Sequence, residues 1–468
     1  MTGAGSYSRR RGDIGVLLCV LLLSLFLSAG WRTFAAFPRH LRVFEGEVEE
    51  VLFGLPLRLH VLVDRPGVKV NGVMAGLSLG AIDGRQGFRL AAARAGSYRL
   101  RFSLLGLLPV REMVLEVIPG LEVIPGGQSI GILLRPSGVL VLGHRPLETP
   151  GGRRAEPGRD AGIVPGDLIV GMNGRPVACE QDLLNRVDEA VNQGIPVRME
   201  VTRDGRMLVL LVDPTYDRKT GRYGLGLKLR DGTAGVGTLS FYHPPSRVFT
   251  ALGHVVTESD AGRPADTSQG RIVEATVARI RQGRRGHPGE KVGELRPEAG
   301  ATLGSIDRNT PFGIVGKLER MPAGHAAQFP SMPLALAHQV HPGRASMLTV
   351  LDGRTVESFE VEIVRVDARQ RQPSPKGITL RVTDRRLLER SGGIVQGMSG
   401  SPIVQGGRLV GAVTHVFVTD PTRGYAVFAE WMARVAGLLR DTHESGWDHP
   451  EVGVAACGST AAQCCRMR

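Results

Sequence analysis

At 468 residues the chain is longer than one ordinary core requires, which points to two to four domains. Its 63 glycines and 29 prolines against 5% aromatic residues exclude a helix bundle and favour short strands joined by tight turns. The net charge of +13 is carried by scattered arginines, with no basic helix and no basic stripe interleaved with aromatics. Nucleic-acid binding is therefore excluded, and attraction to an anionic membrane surface or an acidic partner is left open.

The first 39 residues read as a cytosolic tip and a signal or anchor segment. Arg9, Arg10 and Arg11 precede an apolar stretch over 14–30, with Trp31 at its edge. At about 1.5 Å per residue that stretch barely spans a hydrocarbon core of ~30 Å. Small residues at Ser28, Gly30 and Ala35 leave cleavage open, and the basic flank directs the remainder across the membrane. The expected location is thus exported, either anchored or released. Five cysteines, of which Cys457, Cys464 and Cys465 cluster in the tail, show neither a disulfide framework nor metal-ligand spacing.

From 40 to 118, "LRLHVLVD", "SYRLRFSLL" and "EMVLEVIP" alternate apolar and polar residues between turns, the pattern of a small β-sandwich-like module. Residues 119–215 are more distinctive. "GGQSIGILL" is followed by "DAGIVPGDLIVGMNGRPV", an amphipathic run "CEQDLLNRVDEAVNQG" and the strand pair "VRMEVTRDGRMLVLLVD". This order resembles a PDZ domain of the bacterial protease-associated type. The resemblance makes Ser129, Ile130, Gly131 and Ile132 a carboxylate-binding loop, followed by an open strand edge onto which a peptide adds. From 216 to 440 short strands return, enough for two small barrels, with "EWMARVAGLL" as the clear amphipathic helix. The tail, 441–468, is polar and irregular.

Serine acyl transfer needs an exposed hydroxyl on a sharp turn, a base within reach, and N–H donors facing the oxyanion. "QGMSGSPIVQ" supplies a turn in which Ser399 is the nucleophile candidate and the backbone N–H groups of Gly397 and Ser399 are the donors. Ser401, before Pro402, reads as turn chemistry. His254, directly after an apolar strand and a glycine in "VFTALGHVVTESD", is a candidate base, with His415 as the alternative.

These segments, with "RVTDRRLL" and "GAVTHVF", resemble the stage IV sporulation protein B peptidase family, membrane-associated PDZ-containing serine peptidases of endospore formers. The resemblance implies a mainly β chain: membrane segment, sandwich-like module, PDZ domain and chymotrypsin-like double β-barrel. It implies His254 as general base, Asp384 as triad acid, Ser399 as nucleophile and Thr414 as a residue lining the site. By residue order alone the acid stays open. Asp384 lies only about 15 residues before Ser399, and Asp260, Asp266 and Asp307 are rivals. The implied role is one selective cut in a membrane-associated protein during sporulation, stage IV sporulation protein FA or similar, leading to activation of sigma factor precursor processing. A peptide, or the chain's own N-terminal segment, would occupy the PDZ groove. No cofactor and no metal are expected. The competing reading is a non-catalytic PDZ scaffold with an inactive peptidase-like fold.

Overall fold

The computed structural model describes residues 38–52, 58–74, 81–83, 86–104, 106–134, 138–177, 179–257, 270–296, 301–322, 329–367 and 373–439. The apolar segment 14–30, the tail 441–468, Asp260 and Asp266 lie outside the described residues. Among the described residues no helix is long and apolar enough to cross a membrane.

Alternation builds the N-terminal module. In Arg58–Val63 every second side chain, Leu59, Val61 and Val63, turns inward to meet Phe88, Leu100, Phe102 and Met113. Two sheets share that core. One joins His40–Phe44, Leu108–Ile118, Gly96–Leu104, Arg58–Val63 and Ala81–Asp83; the other joins Val48–Val51, Phe88–Ala92, Val68–Val70 and Val73–Met74.

Two rings of six strands follow. In the first, Ser129–Leu134 pairs with Arg271–Arg281, and the ladder continues through Thr302–Thr310, Gly313–Leu318, Val248–Ala251 and Thr233–His243 back to Ser129–Leu134. Ile130, Ile132, Leu239, Phe249, Ile272 and Ile314 fill it. The second is a closed barrel of Gly343–Val350, Val356–Val366, Ile378–Val382, Asp420–Phe428, Arg408–Phe417 and Pro402–Gln405, filled by Met347, Phe359, Leu380, Val413 and Phe428.

The first ring corrects the expected peptide-binding loop. Ser129, Ile130, Gly131 and Ile132 sit in a strand paired on both edges, so no peptide can add there. The glycine N–H groups before it are also taken: Gly126 donates to the Ser240 carbonyl and Gly127 to that of Leu239, both within 2.9 Å. A glycine-led apolar strand looks alike whether its neighbours are peptide or barrel, and here the neighbours come from about 100 residues downstream.

The boundary at 119 moves with it. Strand Ser129–Leu134 belongs to the first barrel, and a separate sheet is inserted between it and Thr233–His243. That insert orders Arg206–Val212, Val197–Arg203, Leu168–Met172, Val139–His144 and Leu227–Arg230, with helix Glu180–Asn192 packed through Leu183, Val187 and Ala190. Among the described residues Leu227–Arg230 is an edge strand whose ladder partner is Val139–His144. The helix flanks it, with the Glu180 N–H on the Asp231 carboxylate and Asp188 bound to Arg222 and the Tyr223 N–H.

The N-terminal module docks on the second barrel through a buried carboxylate. Glu430, 4% exposed in helix Ala429–Val435, accepts from Arg42, from Arg434 and, at 2.7 Å, from the Ala337 N–H. Arg408 pairs with Glu47 at 2.6 Å beside it. Removing one member of such a set leaves buried charge uncompensated. Glu430→Ala is expected to destabilise the fold by about 3 kcal/mol, measured as the shift of the urea midpoint.

Candidate active site

Helix Arg385–Ser391 ends at Gly392 in the left-handed conformation, and the chain then runs to Ser399 along the first barrel. Gln396 is clamped on both sides: its N–H donates to the Gly289 carbonyl and its carbonyl accepts from the Lys291 N–H, each at 2.8 Å. Met398, fully buried, anchors the turn in the second core. Gly400 has φ of +94°, and a Cβ there would stand 2.1 Å from the Thr238 carbonyl oxygen and 2.5 Å from the Leu252 nitrogen. No other residue fits that position.

Thr238 of the first barrel fixes the orientation of the turn. Its N–H donates to the Ser399 carbonyl at 3.0 Å and its hydroxyl to the Gly397 carbonyl at 2.7 Å. The N–H groups of Gln396, Met398, Gly400 and Ser401 are all used, by Gly289, Val395, Val413 and Met398 carbonyls. Those of Gly397 and Ser399 alone donate to nothing among the described residues. A half-buried turn that satisfies four donors and spares two can receive an incoming acceptor.

His254 reaches the same place from the other barrel. Strand Val248–Ala251 ends in Leu252, a buried non-glycine residue held at φ of +70°. Such a conformation costs on the order of 1 kcal/mol or more and persists only where its surroundings enforce it. Here the neighbours are Gly400 on one side and, around Gly253, Thr414 and Val427. Asn309 secures the chain beyond, bonding both the N–H and the carbonyl of Val256.

The His254 Nδ1 bonds the Val255 carbonyl at 2.8 Å, so Nδ1 carries the proton and Nε2 keeps its lone pair. Burial holds the imidazole below the ordinary histidine value of 6.5, with the Val255 carbonyl opposing the shift. The His415 ring lies 5.2 Å from that of His254. Burial, then the neighbouring His254 and Lys376, push His415 down to about 4, so both rings are neutral at pH 7.

Ser399 and His254 share this locus without a direct hydrogen bond. The Ser399 hydroxyl donates instead to the Thr414 carbonyl at 2.9 Å. Thr414 thus meets the serine through its backbone, while its own hydroxyl is spent on the Pro375 and Tyr425 carbonyls.

Asp384 is not brought to the histidine, which corrects the triad acid implied by resemblance. It caps helix Arg385–Ser391, accepting from the Arg386 and Glu360 N–H groups and from the Arg386 guanidinium at 2.8 Å. That guanidinium holds the carboxyl down to about 2. Ile378 stands level with Val413 through Ala426. Asp384 lies six residues further on, about 20 Å along the barrel wall at strand rise. The capping signal in "TDRRLL" prevailed. Asp307 is exposed on Thr302–Thr310 and accepts from Ser305; the sole hydrogen bond of the His254 ring among the described residues is to Val255. Among those residues no group of three His, Cys, Asp or Glu side chains is placed to hold a metal ion.

Residues 221–433 match the family model described as SpoIVB peptidase S55. The matched span takes in His254, Lys291, Asp384, Ser399 and Thr414, together with every strand of the two barrels except Ser129–Leu134. SpoIVB peptidases are serine peptidases of sporulation, and the matched span coincides with the part of the fold that carries the serine turn and the histidine.

Sequence reasoning missed three contributors. Thr238 has no motif. Lys291 stands among charged residues in "GEKVGEL", which reads as surface, yet it is 5% exposed. The edge strand begins in "YGLGLKL", where the glycines were readable as a turn but the edge was not.

Three outcomes follow from the electrostatics. With His254 acting as a base in its neutral form, the acid limb of kcat/KM is expected to inflect below pH 6.5, the value from which its imidazole is lowered. Asp384→Asn is expected to leave that inflection in place and change kcat by less than about tenfold, against about 10⁴-fold for loss of a true triad acid. Its depressed carboxyl stabilises the fold above pH 3.8, a contribution lost as pH falls through about 2.

Proposed function

We propose that the chain is an exported serine endopeptidase in which Ser399 is the nucleophile, His254 the general base and the Gly397 and Ser399 N–H groups the oxyanion hole. The observation that carries this reading is the pair of unused donors flanking the serine in a turn whose other donors are spent.

The reaction then runs in ordered steps. The Ser399 hydroxyl leaves the Thr414 carbonyl and turns toward His254 Nε2. As its oxygen bonds the scissile carbonyl carbon, the proton passes to Nε2 and the oxyanion takes the two free N–H groups. The imidazolium returns that proton to the leaving amine, and water repeats the sequence to release the acyl group. The Val255 carbonyl, in place of a carboxylate, holds the ring's tautomer and orientation.

The insert is read as the PDZ-type module, its docking edge moved from 129–132 to Leu227–Arg230. A peptide adding to that edge, with helix Glu180–Asn192 as the facing wall, would be presented to the barrels at high local concentration. The substrate is a membrane-associated protein of the sporulation programme, stage IV sporulation protein FA or similar, cut selectively to release sigma factor precursor processing. The chain's own N-terminal segment is a second ligand for the edge. These assignments rest on family resemblance.

A fluorophosphonate probe tests the chemistry. Wild type is expected to label and Ser399→Ala to remain unlabelled. Folded wild type that never labels would instead favour the non-catalytic scaffold. For docking, Leu229→Glu on the edge strand is expected to raise KM for a protein substrate about tenfold while leaving turnover of a short peptide unchanged. Equal effects on both substrates would remove the edge from the account.

A further inference from the structure

Lys291 is the least expected residue in the interior. It lies on Glu290–Leu295, paired with Arg271–Arg281 of the first barrel, and among the described residues no carboxylate reaches its amine. The Nζ donates to the Thr349 hydroxyl at 2.8 Å and the Ser129 hydroxyl at 3.4 Å. Ser129 belongs to the first barrel and Thr349 to the second. Behind Thr349, the Ser401 hydroxyl donates to it at 3.0 Å, and both of these residues are fully buried. The amine therefore joins the two barrels directly beneath the serine turn.

The stem of the same side chain carries the turn. Gly397 has φ of +90°, and a Cβ on it would stand 3.0 Å from Lys291 Cβ and 3.3 Å from its Cγ and Cδ. Its neighbour Gln396 is bound by the Lys291 N–H. One residue thus holds Gly397 by its backbone, supports it by its methylenes, and is itself fixed by hydroxyls of both barrels.

We propose that Lys291 is a positioning residue for the oxyanion hole, setting the height and tilt of the Gly397 N–H against the reacting carbonyl. This rests on the peptidase reading above. An unpaired buried amine is costly to keep, and hydrophobic residues of similar length would fill the space more stably. Burial alone lowers Lys291 from 10.5 to about 7. The groups its amine bonds are hydroxyls, and the ion pairs of Glu290 with Arg281 and of Glu274 with Arg320 and Arg354 do not include it. The amine consequently acts as a directional donor that couples barrel spacing to the turn. A methionine would keep the stem and lose that fixation.

The test compares wild type with Lys291→Met in the full chain, with active sites counted by the end-point of fluorophosphonate labelling. Per labelled site, kcat is expected to fall about 100-fold, within the range seen when one oxyanion donor is lost. KM should stay within about twofold, since ground-state binding is untouched. The inhibition constant of a peptide aldehyde, which forms a tetrahedral adduct on the serine, should rise by the same factor as kcat falls, and the melting temperature should hold or increase. A merely structural lysine would lower the labelled fraction and the melting temperature while leaving kcat per site and aldehyde affinity alone, and that result overturns the proposal. Should Lys291→Met fail to fold, Thr349→Val decides: the same split in kcat and aldehyde affinity supports it, and unchanged values refute it. An unlabelled wild type overturns the peptidase reading and this inference together, whereas an active wild type matched by Lys291→Met overturns this inference alone.

Discussion

Four hydrogen bonds, two from Thr238 and one each from the Lys291 and Ser401 N–H groups, determine what the serine turn can do. A tight turn has as many carbonyls as N–H groups, and which set faces the cleft depends on what captures the other. Thr238 captures the Gly397 and Ser399 carbonyls with its hydroxyl and N–H. The Gly397 and Ser399 N–H groups belong to the preceding peptide units, whose Gln396 and Met398 carbonyls are held by the Lys291 and Ser401 N–H groups, and these two donors are left for an acceptor in the cleft. Because Thr238 lies on Thr233–His243 of the first barrel and the turn leads into Pro402–Gln405 of the second, this constraint operates only when the barrels are docked. The site is a property of the junction, and neither barrel contains it alone.

The same junction explains the strain at Leu252 and the absence of any side chain at Gly400. Where two barrels meet this closely, the backbone of one occupies the Cβ position of the other. A left-handed leucine is held because releasing it would push the chain into the serine turn. His254 inherits its place from that geometry and its protonation from burial: a neutral ring with Nδ1–H on a carbonyl needs no carboxylate to present Nε2. In the resting arrangement the serine hydroxyl is held by the Thr414 carbonyl, so productive contact with the histidine is a local rearrangement at the junction.

Much of this was legible in the sequence where the signal is local. The alternation in "LRLHVLVD" gives the inward set Leu59, Val61 and Val63, and "GMSGSP" contains the residues whose carbonyls and N–H groups divide the turn. What depended on remote partners was not legible. "GGQSIGILL" has the texture of a peptide-binding strand, and only pairing with Thr233–His243 and Arg271–Arg281 makes it barrel wall. Asp384 sits at a helix-capping position readable in "TDRRLL", but a site residue would tolerate the same position, and local sequence does not choose between the two. Lys291 is hidden for the opposite reason: a lysine between charged neighbours reads as solvent-exposed, and its burial is imposed by the second barrel closing over it.

The central claim is that the Gly397 and Ser399 N–H groups are the oxyanion donors because Lys291 and Ser401 hold the carbonyls of their own peptide units while Thr238 holds the two that follow. A crystal structure of the peptidase with a peptide aldehyde or phosphonate joined to Ser399 tests it most directly. The account predicts the adduct oxygen within about 2.7–3.1 Å of both nitrogens, with the Thr238 bonds intact. An adduct oxygen bound elsewhere, or a turn flipped so that these carbonyls face the adduct, would contradict it.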